Sequence, residues 1–584
     1  MIDAHHSEFG WGRAAWLWLA LALMAAGCVD RTTSFLVPES DAGDAGGEIS
    51  ADGGADVGAD GDPGGDVDAV PDATPDADAL ADADAPIDAD AAPDADADAL
   101  ADADAVATPD ADADADATPD ADADATADAT PDADITAPPL PCDDPALLGS
   151  HLGCAFWTVD LPNYPETFVT PTPKDTPHVV ELVNPGPVAA TVSFESTTGG
   201  TVPPDATVPP GQSVTVSMPV LDAAATGIEN LAIRITSTHP IAVWQRSEAT
   251  DHVSVDASLL LPESALGTSY AITTRATAPL GAIFPGTPDQ RGFFTVVAIM
   301  DSTVVTFTPS TDVAPGPGVV ATAAGEPRLM TLGRGDTVTI FGKNPSAIVG
   351  ADLTGSLVTS DLPIAVFAGH EEAVNAPGGG AENCCADMLQ VQLFPGESQT
   401  GEVLALRSPP RAAESDLWVV QALADEIEVT LTPDPTGQSG ASLSGVGATI
   451  EIASSTSFQV SATGPVQVFQ ILAAGEVSGG LGDPAMTVMI PTSRLLARYD
   501  VFLPAEYDGR VSIARRAGAT VSVDGVLVEA GALAALPGTD WHTGFVKLAP
   551  GVHTVTGSAP FAAQVYGYTA KGAFAAPAGF APAP

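Results

Sequence analysis

Ile235-Thr236-Ser237-Thr238-His239-Pro240-Ile241-Ala242-Val243-Trp244 recurs along the chain. The second copy is Val358-Thr359-Ser360-Asp361-Leu362-Pro363-Ile364-Ala365-Val366-Phe367. The third is Val460-Ser461-Ala462-Thr463-Gly464-Pro465-Val466-Gln467-Val468-Phe469, and a weaker fourth runs from Val555 to Val565 around Pro560. Each copy reads as a strand, a short turn closed by proline, and a second strand, so the pattern predicts four hairpins. Proline suits the start of a second strand because it has no N–H to give to a ladder.

Working outward, residues 141–584 hold short Val/Thr/Ile-rich runs with period-2 alternation, bounded by Gly, Pro, Asp and Ser. Phe293 to Ile299, Thr303 to Thr308, Asp336 to Phe341 and Ile364 to Phe367 are examples. Such runs predict antiparallel strands, and no long amphipathic helix competes with them. Each of the first three repeats goes on to an Asp and an apolar-Pro pair: Asp256 with Leu261-Pro262, Asp387 with Phe394-Pro395, Asp483 with Ile490-Pro491. Units therefore start near 141, 259, 391 and 487. A unit of about 100 residues fits one seven-stranded sandwich or two four-stranded propeller blades. The expected fold is all-β: four tandem antiparallel β repeats, built as Ig-like sandwich units or, alternatively, as a closed β-propeller-like ring. In both, few strand edges are left open.

The segment before the repeats has another character. Between Val29 and Pro139 lie 33 acids against one base, Arg31, so more than half of the net charge of −58 sits here. Asp-Ala alternation gives a strand no useful apolar face, and Asp with interspersed Pro makes a poor helix. A disordered, self-repelling linker over 29–140 is predicted, reaching roughly 370 Å if fully extended. The acidic balance disfavours nucleic acid and an anionic membrane face as partners.

Residues 1–28 read as a lipoprotein signal peptide. Arg13 is followed by an apolar run from Ala14 to Ala26, too short to span a bilayer comfortably. Ala25-Ala26-Gly27-Cys28 resembles the bacterial lipoprotein box, which implies lipidation of Cys28; Val29 at the next position favours the outer membrane. The competing reading is an ordinary signal peptide that contains a cysteine.

Asp352 to Ser356, Val358 to Phe367, Gly369-His370, Cys385-Ala386-Asp387-Met388-Leu389 and Gln392-Leu393-Phe394-Pro395 together resemble the IgGFc-binding protein N-terminal domain family. Pro484-Ala485-Met486 fits as well, and the resemblance extends over about 145–575. It implies adhesion or ligand binding and no catalysis, and it does not imply antibody as the ligand of a bacterial member. Two positions depart from the family: Glu372 stands near a usual Cys, and Met388 replaces a His.

The export signal makes disulfides plausible. Cys142 and Cys154 are the expected pair. Cys384 and Cys385 are adjacent; a vicinal bond, an intermolecular bond and free thiols all remain open. The best binding candidate is the long, Gly-rich loop from His370 to Cys385, with His370, Glu371, Glu372 and Asp387 as site residues. His370, Glu371, Glu372, Cys384 and Cys385 match no zinc spacing, so no metal and no cofactor are expected. Asp256, Asp387 and Asp483 read first as turn or capping residues that accept backbone N–H bonds, and second as calcium ligands. Gly482-Asp483-Pro484 resembles a self-cleavage motif, but Ala485 stands where its His belongs, and no cleavage is expected. There is no Gly-x-Ser-x-Gly elbow, P-loop or His-Glu-x-x-His. Glu371/Glu372 and Glu248/Asp251 lack any predicted cleft between them, so no catalytic residue is assigned.

Three functions compete. The first is an outer-membrane, cell-surface lipoprotein that binds an extracellular protein or glycan, meeting the membrane only through its lipid anchor. The second is an envelope or coat component that self-associates. The third is an exported hydrolase.

Overall fold

The computed structural model describes residues 141–144, 150–165, 172–221, 223–247, 253–375, 386–438 and 440–581, apart from the side chain of Ile283. The anchor and stalk readings of 1–28 and 29–140, together with Cys28, Cys384, Cys385 and the pair Glu248/Asp251, lie outside the described residues.

Among the described residues, four antiparallel sheets of seven or eight strands follow one another along the chain. Their strands cover Gly153–Leu259, Gly267–Gln392, Thr400–Val488 and Leu496–Pro577. These are the four repeats read from the sequence. Among the described residues, α-helix is confined to Leu280–Ile283.

Each sheet is built on one long strand, its spine: Ile233–Arg246, Leu357–Ala373, Phe458–Ile471 and Gly551–Tyr568. This corrects the hairpin expectation, because the proline lies inside a continuous strand. It does so within a wide bulge. The partner ladder passes from Thr236 to Ile241, from Thr359 to Ile364, from Ser461 to Val466 and from Thr556 to Phe561. A missing N–H costs nothing where no ladder bond is due. The residue two before each proline then caps the neighbouring strand. Thr191 N donates to Thr238 Oγ1 (3.0 Å), Val304 N to Asp361 Oδ1 (2.8 Å), Glu428 N to Thr463 Oγ1 (3.0 Å) and Thr520 N to Ser558 Oγ (2.9 Å).

Burial changes at the bulge. Before it, spine residues are a mixture of buried and partly exposed; after the proline, every residue is buried. A strand covered on both faces needs a continuous apolar run, which is why Ile364 to Phe367 does not alternate.

The second half of each spine pairs with a short strand that lines the centre of the molecule: Ala257–Leu259, Asp387–Gln392, Met486–Val488 and Ala573–Pro577. These axial strands pack in a cycle, first on second, second on third, third on fourth and fourth on first. The curled sheets thus close into a ring. The two ends of the repeat region meet: His151 N and Nδ1 lie 3.3 and 3.0 Å from Phe580 O, and Phe580 N donates back to Nδ1 at 3.2 Å. The first unit also lends a strand to the second sheet, Gly227–Glu229 pairing with Thr337–Thr339. The expected disulfide is present, with Cys142 bonded to Cys154 at the start of the first strand, Gly153–Thr158.

Candidate functional site

Buried polar side chains, Asp256, Asp387, Gln390, Gln392 and Thr487, are set among the apolar residues at the centre of the ring. Four residues after each spine proline, Trp244, Phe367, Phe469 and Gln564 pair with Leu259, Gln392, Val488 and Pro577. Two residues before each of those partners stand Ala257, Gln390, Met486 and Ala575, which are therefore equivalent in the four units. The carboxylate of Asp256 collects the backbone N–H of all four: Ala257 at 2.8 Å on Oδ1, Gln390 at 2.9 Å and Met486 at 2.8 Å on Oδ2, and Ala575 as well. One side chain thus ties four units together.

By the same register Asp387 and Asp483 are equivalent to each other, whereas Asp256 aligns with Leu389 and Ala485. The apparent repetition of one aspartate in three units is corrected to two equivalent residues and one unique residue. All three accept backbone N–H bonds, as capping aspartates do. Val255 N donates to Asp387 Oδ1 at 2.6 Å and Met388 N at 2.9 Å; Gly475 N donates to Asp483 Oδ1 at 3.0 Å. Among the described residues, no three His, Cys, Asp or Glu side chains converge on a common metal position.

His370, Glu371 and Glu372 were expected on a surface loop. The structure places them in the last residues of the second spine strand, all buried, because this half of the strand faces the ring interior. His370 Nε2 lies 3.2 Å from Ala276 O, and its Nδ1 accepts Glu372 N at 3.1 Å. Burial pulls His370 down to about 4, so the ring is neutral at pH 7. Glu371 forms a two-pronged ion pair with the guanidinium of Arg291, its Oε2 accepting Nε at 2.8 Å and the Arg291 backbone N–H at 2.9 Å. Arg291 in turn lies 3.8 Å over the Phe341 ring. Burial still pushes Glu371 up against that pull. Glu372 accepts Gln290 Nε2 at 2.9 Å; burial, with Glu371 and Asp483 adding repulsion, pushes it up to about 8. Just beyond, Asn375 Nδ2 donates to Ile471 O and Leu472 O, both at 2.9 Å, and fastens this end of the spine to the third unit.

The axial carboxyls are similarly displaced. Burial raises Asp256 well above the usual carboxylate range, although its four amides oppose the shift. Burial, then Asp483, raises Asp387 well above that range, and burial raises Asp483 to about 7. The structure therefore brings Glu372, Asp387, Asp483 and Asp256 into one electrostatic neighbourhood. The sequence reading missed the glutamines that carry unit-to-unit bonds. Gln392 Oε1 accepts Leu261 N at 2.8 Å, Gln467 Nε2 donates to Ala271 O at 2.7 Å, and Gln564 Nε2 donates to Val488 O at 3.1 Å. Glutamine inside an apolar strand was the available signal, since a buried amide needs partners.

On the outside, an open groove of about 390 Å³ runs between the third and fourth units. Pro410, Pro433, Leu536 and Phe545 line it with Arg407 and Ser512, and Phe545 is 40% exposed.

No curated protein matches the sequence. Among solved structures, a tetra-tandem repeat from the extending region of a large adhesion protein aligns at 12% identity over 70% of this chain and 95% of the other. Its TM-score of 0.08 gives that likeness no structural weight. A family described as IgGFc binding protein matches residues 256–567, from the axial Asp256 to the end of the fourth spine. That family is one of binding domains, generally extracellular or at a surface, and not of enzymes. The match spans more than half of the sequence, and the chain belongs to the IgGFc-binding protein family.

Proposed function

We propose that this protein is a cell-surface lipoprotein whose β ring binds an extracellular protein or glycan. In this reading Cys28 carries the lipid, the acidic segment 29–140 is the stalk, and residues between His370 and Cys385 form the recognition region. The family match over 256–567 carries the binding assignment. The ring supports the choice of region, because it fixes both flanks: Glu371 on Arg291 and Asn375 on the third unit before it, Asp387 on the amides of Val255 and Met388 after it. Rigid flanks are what a recognition loop needs from its scaffold. His370, Glu371, Glu372 and Asp387 thus serve as its buried footing.

Two measurements test this. Protease shaving of intact cells, with a permeabilised control, should release peptides of 141–584; release only after permeabilisation would retire the surface assignment. Binding of the full chain to a panel of extracellular proteins, IgG Fc among them, and glycans should be lost when 376–385 is replaced by a Gly-Ser linker. Retained binding would move recognition elsewhere on the ring.

A further inference from the structure

The spines share a register, so positions can be compared across the four units. Gly153, Gly267, Thr400 and Leu496 each pair with the residue that follows a spine proline. Seven residues further on stand Asp160, Thr274, Arg407 and Leu503, which are therefore equivalent. Three of them are taken up inside the fold. Asp160 Oδ2 accepts Leu221 N at 2.7 Å, Thr274 Oγ1 donates to Asp352 Oδ1 at 3.2 Å, and Leu503 is part of an apolar core. Arg407 instead lines the open groove of about 390 Å³ between the third and fourth units. Its Nη2 donates to Glu414 O at 2.9 Å, and its Nε is buried with no acceptor.

Among the described residues no carboxylate pairs with this guanidinium. The nearby acids are engaged elsewhere. The Glu414 carboxylate accepts Arg411 N and Ala412 N at 2.9 and 2.7 Å, and Asp416 accepts Ser408 N and Oγ at 3.0 and 2.9 Å. On the fourth unit Arg510 lies 5.9 Å from the centre of the Phe545 ring, but Asp508 already pairs with it at 2.7 Å. None of the described residues that line the groove is acidic, in a chain of 77 acids against 19 bases. An unpaired arginine in a wall free of acids is complementary to an anion, and a carboxylate fits its planar fork.

The other walls suit a sugar ring. Pro410 and Pro433 on the third unit and Phe545 on the fourth offer apolar faces, against which the C–H face of a sugar can lie, and Thr456 and Thr543 add one hydroxyl from each unit. Apolar walls with a few placed polar groups make a small-ligand site, and the volume of about 390 Å³ falls within the usual range of roughly 300–1,000 Å³. Fourteen residues line the groove, fewer than the roughly 20–30 that a protein interface draws from each side.

We propose that this groove is a second binding site, for a carboxylated sugar of an acidic glycan, with Arg407 on the carboxylate and Phe545 against the ring. It shares no residue with 376–385, so this reading and that of the loop can fail separately.

The test is calorimetric titration of the full chain with two acidic probes, 3′-sialyllactose and a hyaluronan tetrasaccharide. Neutral lactose and the methyl ester of sialyllactose are the controls. At least one acidic probe should bind saturably and about tenfold to a hundredfold more tightly than its neutral counterpart. Arg407→Met should bring it down to the neutral level, and Phe545→Ala should weaken acidic and neutral sugars alike. Should Arg407→Met fail to fold, Thr543→Trp decides: it fills the groove, leaves the guanidinium in place and should abolish binding. No saturable binding of either acidic probe, or an affinity unchanged by Arg407→Met or by Thr543→Trp, would overturn the proposal. So would binding that is lost when 376–385 is replaced by a Gly-Ser linker, since the sugar would then sit on the loop. A hexaglutamate peptide that binds as tightly as the better sugar would overturn it too, by assigning the groove to acidic peptides.

Discussion

Asp256 accepts the backbone N–H of Met486 at 2.8 Å, across 230 residues of sequence, and takes the equivalent amides of the second and fourth units with the same carboxylate. Hydrogen bonds to a charged group contribute about 1.5–3 kcal/mol each, and several share this acceptor. Asp256→Ala should therefore lower unfolding free energy by about 3–5 kcal/mol in urea titration. A loss below about 1 kcal/mol would mean that the axial strands close the ring without it.

The Arg291–Glu371 pair offers a second test. The Glu371 side chain is only 2% exposed and that of Arg291 28%. Removing the arginine strands a buried carboxylate, so Arg291→Ala should cost about 3–5 kcal/mol. Arg291→Met with Glu371→Gln should recover much of that loss, because replacing both charges removes the uncompensated one. Equal losses in the single and double variants would show that Arg291 acts through its packing on Phe341.

Spine bulges should tolerate change better than the axis. Asp361→Ala takes the acceptor from the exposed end of the Val304 amide, which can turn to water. The expected cost is about 0.5–1.5 kcal/mol.

Cys142 and Cys154, the latter at the start of the first strand, close a loop with a sequence separation of 12. Reduction, or Cys142→Ser, should lower stability by about 2–4 kcal/mol. The drop should appear in thermal melts with and without dithiothreitol, with no change in the β signal of the folded state.

Acid should loosen the seal between the two ends of the repeat region, at His151 and Phe580. Burial holds His151 down to about 4, so the unfolded chain takes up a proton near 6.5 that the folded one refuses. That stability is present above 6.5 and is lost as pH falls towards 4. Hydrogen exchange at Phe580 and Ala581, bonded to His151 and Arg494, should accelerate over this window. His151→Gln should remove the pH dependence.

Much of this architecture was legible beforehand, and the limits fall at identifiable residues. The prolines at 240, 363, 465 and 560 marked the four units correctly. They misled on local shape, because a proline in a bulge and a proline in a turn leave the same trace in sequence: an interrupted ladder. Asp256, Asp387 and Asp483 looked like one repeated residue, since spacing alone cannot say which amide lies opposite a carboxylate. His370, Glu371 and Glu372 looked like loop residues, since three polar side chains in a row ordinarily belong in water.

The sequence by itself determined the all-β class, the number of units, the Cys142–Cys154 pair and the binding family; its unit starts near 259, 391 and 487 fall within the last strands of the preceding units. These rest on local terms: side-chain period, turn chemistry and short loop closure act within a few residues. Only the tertiary structure decided that the units close into a ring, that one aspartate serves all four, and that a run of charged residues lies buried. These depend on which distant strands share a register. Register is set by packing the post-proline halves of four spines around one axis, a condition that no single unit contains.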